Sequence, residues 1–324
     1  MGDIILSIPA LYSLKQLHPD YSITFLSNWD ENNMSSPIPL LYKLELIDAH
    51  ISIPFINRPN ISNYFQLIKI LCNERNKYQI SICLRHTLRK LPSKIFDYLL
   101  FKYFLNVKVG IGFWNSSELS CFPLSGKDTY PMVQEYKRLI YVLCSEGLNI
   151  DQNKLKYKIL ALIKEKIRDV KYSLDGLLMD NVIILCPFSR TKEKKWNYEN
   201  YIYISKYLLK IKKNIVIIGS AEEYKDAELM KNEIGPEVIN LCGKLNIIEL
   251  CKIFESSDMY IGNDTGPMHI SGLLNIPTVA LFSRHSNPGK FSPMGDSNII
   301  FRPKKLINDI GPGEVLREIK KIID

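Results

Sequence analysis

Short runs of β-branched and apolar residues alternate along this chain with longer segments whose apolar positions recur at helical spacing. Runs at 22–27, 79–84, 107–111, 182–186, 214–218, 259–261 and 278–282 predict strands, and segments 9–17, 132–146, 198–212, 222–234 and 246–255 predict helices. The strand runs are nearly continuous in apolar character, as expected for parallel strands covered by helices on both faces. Residues 1–150 and 179–324 each carry such an alternation, and the polar, Lys-rich segment 151–178 between them reads as a connection with one helical pattern. The expectation is an α/β protein of two doubly wound parallel-sheet domains. Its opening is unusual. A doubly wound domain normally starts with a strand that delivers a glycine-containing turn. Here Gly2-Asp3 follows Met1 directly, and a short apolar stretch runs straight into the helix at 9–17, so the first strand is expected to be missing.

Composition narrows the class. The 324 residues suit two domains, and 46% hydrophobic with 23% charged residues suits a soluble globular core. No apolar run approaches the roughly 20 residues of a membrane-spanning helix, and no basic region precedes the N-terminal apolar stretch as in a signal peptide. A soluble, unexported protein is expected. Seven cysteines are dispersed without C-x-x-C spacing, which favours reduced thiols over a disulfide framework or a zinc site. The net charge of +8 suits an anionic substrate or a membrane surface, and equally a Lys-rich compositional bias. It gives little support for nucleic acid.

The strongest local signal is residues 259–270, in which an apolar strand ends at Gly262. Asn263, Asp264 and Thr265 supply cap chemistry, and Pro267 stands in the first turn of a helix that stops before Pro277. A helix N-terminus at the carboxyl edge of a sheet offers free N–H groups and a positive dipole end to a phosphate. His269 lies in that first turn, able to add a donor. A well-capped structural helix with a surface histidine is the plainer alternative.

Other stretches are less specific. After the strand at 182–186, Ser189, Arg190, Lys192, Lys194 and Lys195 form a hydroxyl- and Lys-rich loop suited to a diphosphate, or simply solvated. Glu222 and Glu223 follow the strand at 214–218, placed to accept from ribose hydroxyls or to complement a helix dipole. Asp3, at the Gly2-Asp3 turn, suits a general base or a helix-start carboxylate. Arg85, Arg89, Lys90, Lys94 and Lys102, interleaved with aromatics, suit an anionic acceptor at a lipid surface, or the solvated face of an amphipathic helix. Walker A, G-x-G-x-x-G, G-x-S-x-G, H-E-x-x-H and D-x-D patterns do not occur.

These pieces in order resemble glycosyltransferase family 9, the heptosyltransferases of lipopolysaccharide core synthesis. The resemblance runs nearly end to end. It rests on Gly2-Asp3 with Pro9-Ala10-Leu11, on Ser81-Ile82-Cys83-Leu84-Arg85 with Arg89, on Val109-Gly110-Ile111-Gly112-Phe113, on Lys194-x-Trp196 after Pro187, and above all on residues 263–269. It implies the GT-B architecture: an acceptor-binding N-terminal domain and a nucleotide-sugar-binding C-terminal domain facing a central cleft, with the last helix packing back on the N-terminal domain. It also implies metal-independent transfer with inversion and no cofactor. Asp3 would be the general base, and Lys194 with Ser189 would hold the donor phosphates. Asp264, Thr265, Gly266 and His269 would complete that site, Glu222 or Glu223 would take the ribose, and Arg85 and Arg89 would meet the acceptor. The implied partners are a nucleotide-sugar donor, ADP-heptose by family, and an anionic lipid-linked saccharide at the cytosolic face of the inner membrane, with a monomeric chain and no nucleic acid. Phe188 stands where a small residue is usual in the family and Ser283 where a glycine often follows the last strand, which points to a different donor or acceptor; the alternative is the same scaffold with another sugar nucleotide in O-antigen or capsule synthesis. The missing strand keeps a non-catalytic nucleotide-sugar-binding relic as a second alternative.

Overall fold

The computed structural model describes residues 1–53, 61–84, 95, 97–111, 134–144, 150, 152–170 and 180–323. Contacts divide the chain into two compact units. The smaller comprises Ser7–Asp30 and Leu46–Gln152, and the larger comprises Met1–Leu6, Glu31–Glu45 and Asn153–Asp324.

In the smaller unit, β1 (Thr24–Ser27) pairs in parallel with β2 (Ala49–Ser52), and β3 (Ile80–Ile82) pairs in parallel with β4 (Val109–Ile111). Helix α1 (Gly2–Leu17) precedes them, and α2 (Ile38–Lys43) belongs to the larger unit. Helix α3 (Ile61–Asn73) sends Leu67 and Leu71 into a cluster with Leu105 and Val107. Helix α4 (Glu135–Cys144) packs Leu139 and Leu143 against Ala10 of α1. The N-terminal apolar stretch is not a prelude to a helix: Ile4, Ile5, Leu6 and Ile8 are buried within α1 itself. Their continuous run hides the helical period, which is why sequence alone places the helix start later.

The larger unit continues with α5 (Gln152–Ile167), β5 (Val182–Cys186), α6 (Tyr198–Lys210), β6 (Asn214–Ile217), α7 (Tyr224–Ile234), β7 (Ile239–Asn240) and α8 (Ile247–Glu255). It ends with β8 (Ser257–Asn263), α9 (Gly266–Leu273), β9 (Thr278–Leu281), α10 (Pro288–Phe291), β10 (Asn298–Phe301) and α11 (Pro312–Ile323). Its six strands form one parallel sheet in the order β10-β9-β8-β5-β6-β7. The chain winds outward from β5 in one direction, then returns to β8 and winds outward in the other. The switch point therefore lies between β5 and β8, where ligands of such sheets bind beyond the carboxyl ends. Helix α11 lies against α6 and sends Val315 and Ile319 into the same core.

Asn263 closes this junction. It ends β8, fully buried, while its neighbour Gly262 is in register with Cys186 of β5. Its Nδ2 donates to the carbonyl of Pro187 at 2.8 Å, and its Oδ1 accepts from the Tyr201 hydroxyl at 3.0 Å and the Trp196 N–H at 3.3 Å. Trp196, fully buried, stacks edge-on against Tyr201 and donates its indole N–H to the Ile310 carbonyl at 2.9 Å. One side chain thus holds both ends of the loop between β5 and α6. Replacing Asn263 by Ala strands two buried donors and an acceptor, and should cost about 2–4 kcal/mol of stability. Urea denaturation checks this; a loss below about 1 kcal/mol would mean the loop is held by something else.

Candidate functional site

The loop after β5 and the turn after β8 meet at the switch point. The former makes a single 3-10 turn, Lys192–Lys194, closed by the Lys194 N–H to the Thr191 carbonyl at 3.0 Å. The Ser189 hydroxyl is buried and accepts from the Thr191 N–H at 3.4 Å. From this turn Lys194 Nζ reaches Asp264 Oδ2 at 2.6 Å, with the lysine side chain one-third exposed and the carboxylate almost wholly buried. The Ser286 hydroxyl donates to that same oxygen at 2.7 Å.

The three residues expected to cap α9 divide their work. Thr265 takes the N-cap position in extended backbone but makes no side-chain cap bond; its hydroxyl donates back to the Asn263 carbonyl at 3.3 Å. Asn263 and Asp264 point into the two networks already described, because a burial this deep rewards satisfied polar side chains over capping. Pro267 lies in the first turn as its fixed φ favours. The N-terminal N–H groups of α9 are left without a cap side chain.

His269, in the first turn of α9, is buried rather than on the surface, and its Nδ1 has no hydrogen-bond partner among the described residues. Burial drives its imidazole down from 6.5 to about 4, with Asp264 and then Asp3 pulling the other way. Helix α1 starts directly against this ring. A Cβ on Gly2 would fall 2.8 Å from His269 Cδ2, and one on Gly266 would fall 2.6 Å from the Met1 sulfur. Both glycines permit backbone approach that no other residue allows. Asp3, exposed in the first turn of α1, is thereby brought beside the neutral imidazole.

The two glutamates separate in role. Glu223 Oε2 accepts from the Ser220 N–H at 2.7 Å, so this carboxylate is a helix-start group. Glu222 is exposed and held below the usual carboxylate range, first by the Ser220 hydroxyl and to a smaller degree by Arg190. Phe188 is buried, edge-on to Tyr198, where Gly219 leaves room: a Cβ there would lie 2.7 Å from its ring. The core absorbs this departure from a small residue. Arg85 and Arg89 lie outside the described residues. Ser286 has no signal in the sequence, being one polar residue in a polar loop. Among the described residues no group of three or more His, Cys, Asp or Glu side chains converges as metal ligands would. No described helix is long and apolar enough to cross a membrane.

The geometry therefore gathers Lys194, an uncapped helix N-terminus, an unpartnered buried imidazole nitrogen and Asp3 at one sheet edge. A histidine kept neutral by burial also sets a pH dependence. Above pH 6.5 both folded and unfolded chains hold it neutral, and between 6.5 and about 4 the unfolded chain binds a proton that the folded one refuses. Stability should fall by about 2 kcal/mol from pH 7 to pH 5 through this group. In urea denaturation across that range, His269→Gln should flatten the dependence by that amount; identical slopes would show that the imidazole is not the source.

Residues 100–308 match the family described as Glycosyltransferase family 9 (heptosyltransferase). The chain is 26% identical to Lipopolysaccharide heptosyltransferase 3 of Escherichia coli, covering 87% of this chain and 80% of that protein. It is 24% identical to Lipooligosaccharide heptosyltransferase 2 of Haemophilus influenzae, covering 93% and 86%. Among solved structures, the fold is similar to E. coli heptosyltransferase WaaC with ADP, at a TM-score of 0.70 and 14% identity over 99% of this chain and 97% of that one. It is also similar to E. coli ADP-heptose lps heptosyltransferase II, at a TM-score of 0.65 and 17% identity over 99% and 95%. These likenesses establish the GT-B fold. With its family profile matched over well more than half its length, this chain belongs to glycosyltransferase family 9 and is a glycosyltransferase.

Proposed function

We propose that this enzyme transfers a heptose, or a closely related sugar, from a nucleoside-diphosphate sugar to a lipopolysaccharide core or similar lipid-linked saccharide, with inversion and without a metal. The observation that carries the reading is the convergence at the switch point of Lys194, the uncapped start of α9 and the unpartnered Nδ1 of His269. A diphosphate supplies the acceptors that the helix start and the imidazole lack and competes with Asp264 for the Lys194 ammonium, and the leaving diphosphate gains charge that such donors stabilise. ADP-heptose is the donor that the named relatives support, and lipopolysaccharide or lipooligosaccharide the acceptor.

In this mechanism Lys194, Ser189 and the N–H groups of Thr265 and Gly266 hold the two phosphates, with His269 donating from Nδ1. Glu222, exposed on the turn after β6, receives the ribose hydroxyls, while the Glu223 carboxylate closes the helix start on the Ser220 backbone N–H. Asp3 removes the proton of the acceptor hydroxyl as it attacks the anomeric carbon opposite the leaving diphosphate, which is what makes the reaction inverting. Arg85 and Arg89 meet the anionic acceptor. The enzyme works as a monomer in peripheral contact with the cytosolic face of the inner membrane.

Two variants separate base from donor site. Asp3→Asn should reduce turnover at least 100-fold with ADP affinity unchanged, whereas Lys194→Ala should weaken ADP binding by about 1–3 kcal/mol in calorimetry. Equal loss of binding in both variants would contradict this division of roles. Transfer from ADP-heptose, followed by product release with a lipid A–core acceptor, should persist in excess EDTA and gain little from magnesium. Silencing by chelation and rescue by magnesium would contradict the metal-free mechanism.

A further inference from the structure

We infer that Ser286 is a positioning residue for donor binding, acting through Asp264 on Lys194; this rests on the donor reading above. The ammonium of Lys194 and the hydroxyl of Ser286 share one acceptor, Oδ2 of Asp264, at 2.6 and 2.7 Å. Neither Asp264 nor Ser286 has appreciable contact with solvent, so water does not substitute for a lost partner there. The hydroxyl is held in place from both sides. The Ser286 N–H closes a turn onto the Ser283 carbonyl at 3.1 Å, and the next residue, Asn287, accepts from the Gly289 N–H at 3.0 Å to start α10.

This geometry gives Lys194 two successive partners. In the free protein its charge is neutralised by Asp264. A diphosphate bound at the α9 N-terminus competes for the same ammonium, and Lys194 turns toward it. That leaves a buried carboxylate short of its cation, an expensive state unless another donor remains on it. Ser286 is that donor. It draws on the oxygen that Lys194 uses, which loosens the ion pair before binding, and it keeps Asp264 satisfied afterwards. His269, Asp3 and the Met1 amine are further ionisable groups whose fields meet here, with His269 uncharged near neutral pH.

The test is a thermodynamic cycle measured by calorimetry on the full chain, with ADP, GDP, UDP and CDP as probes and the tightest binder carried forward. Ser286→Ala should weaken that nucleoside diphosphate about three- to tenfold. The corresponding monophosphate should be unaffected, and Ser286→Thr, which keeps the hydroxyl, should restore binding to within about twofold of wild type. In a Lys194→Ala background the Ser286→Ala effect should vanish, because the residue acts through that ammonium. Should Ser286→Ala not fold, Ser286→Cys retains the volume with a weak donor, and a smaller loss of the same specificity is expected. Unchanged or tighter diphosphate binding, an equal loss for the monophosphate, or a loss that persists without Lys194 would each overturn the inference. A wild-type chain that binds none of the four nucleotides would overturn the donor reading and this inference together; wild-type binding with an indifferent Ser286→Ala would overturn this one alone.

Discussion

The carboxamide of Asn263 is donor and acceptor at once, and at the switch point of the six-stranded sheet it uses both ends. Its Nδ2 fixes the start of the loop after β5 through the Pro187 carbonyl, and its Oδ1 fixes the end through the Trp196 N–H. An aspartate has no donor for the carbonyl and a leucine satisfies neither side, so an uncharged amide is what this buried junction requires. Because Asn263 is also the last residue of β8, the same atoms that pin the loop set where Asp264 and Thr265 begin. The register of two central strands is in this way converted into the relative placement of Lys194 and the α9 N-terminus.

Electrostatics follow from that placement. Lys194 is a cation at the site, and it is paired with a carboxylate that burial would otherwise penalise. His269 is uncharged because burial outweighs the pull of Asp264 and Asp3. The site thus brings together helix-terminal dipoles, a paired ammonium and a neutral ring. On the proposed reading these groups meet a diphosphate with little reorganisation, which is the condition under which electrostatic stabilisation of a leaving group is largest.

The larger unit is readable in the sequence because its inner strands are buried apolar runs between well-formed helices: the reading matches β5 at its observed bounds, and β6 and β9 within one residue. The strands left unread, β2, β7 and β10, are only partly buried or just two residues long, and carry too little apolar pattern to separate from loops. Residues of the site were legible as types and not as contacts. Lys194, Asp264 and His269 stood out as chemistry-bearing residues at a strand-to-helix turn, yet the ion pair between the first two spans 70 positions and leaves no local trace. Ser286 and the buried role of Asn263 were invisible for the same reason. The close approach of Gly2 to His269 depends on the packing of α1, whose unbroken apolar start conceals its own helical period.

The central claim is that the loop after β5 and the start of α9, locked together by Asn263, form one diphosphate site. A crystal structure of the chain with ADP tests it most directly. The account predicts the β-phosphate within hydrogen-bonding distance of Lys194 Nζ, the Gly266 N–H and His269 Nδ1, with Lys194 drawn from Asp264 and the Asn263 network unchanged. A diphosphate bound elsewhere, with Lys194 still seated on Asp264 and His269 Nδ1 still without a partner, would contradict it.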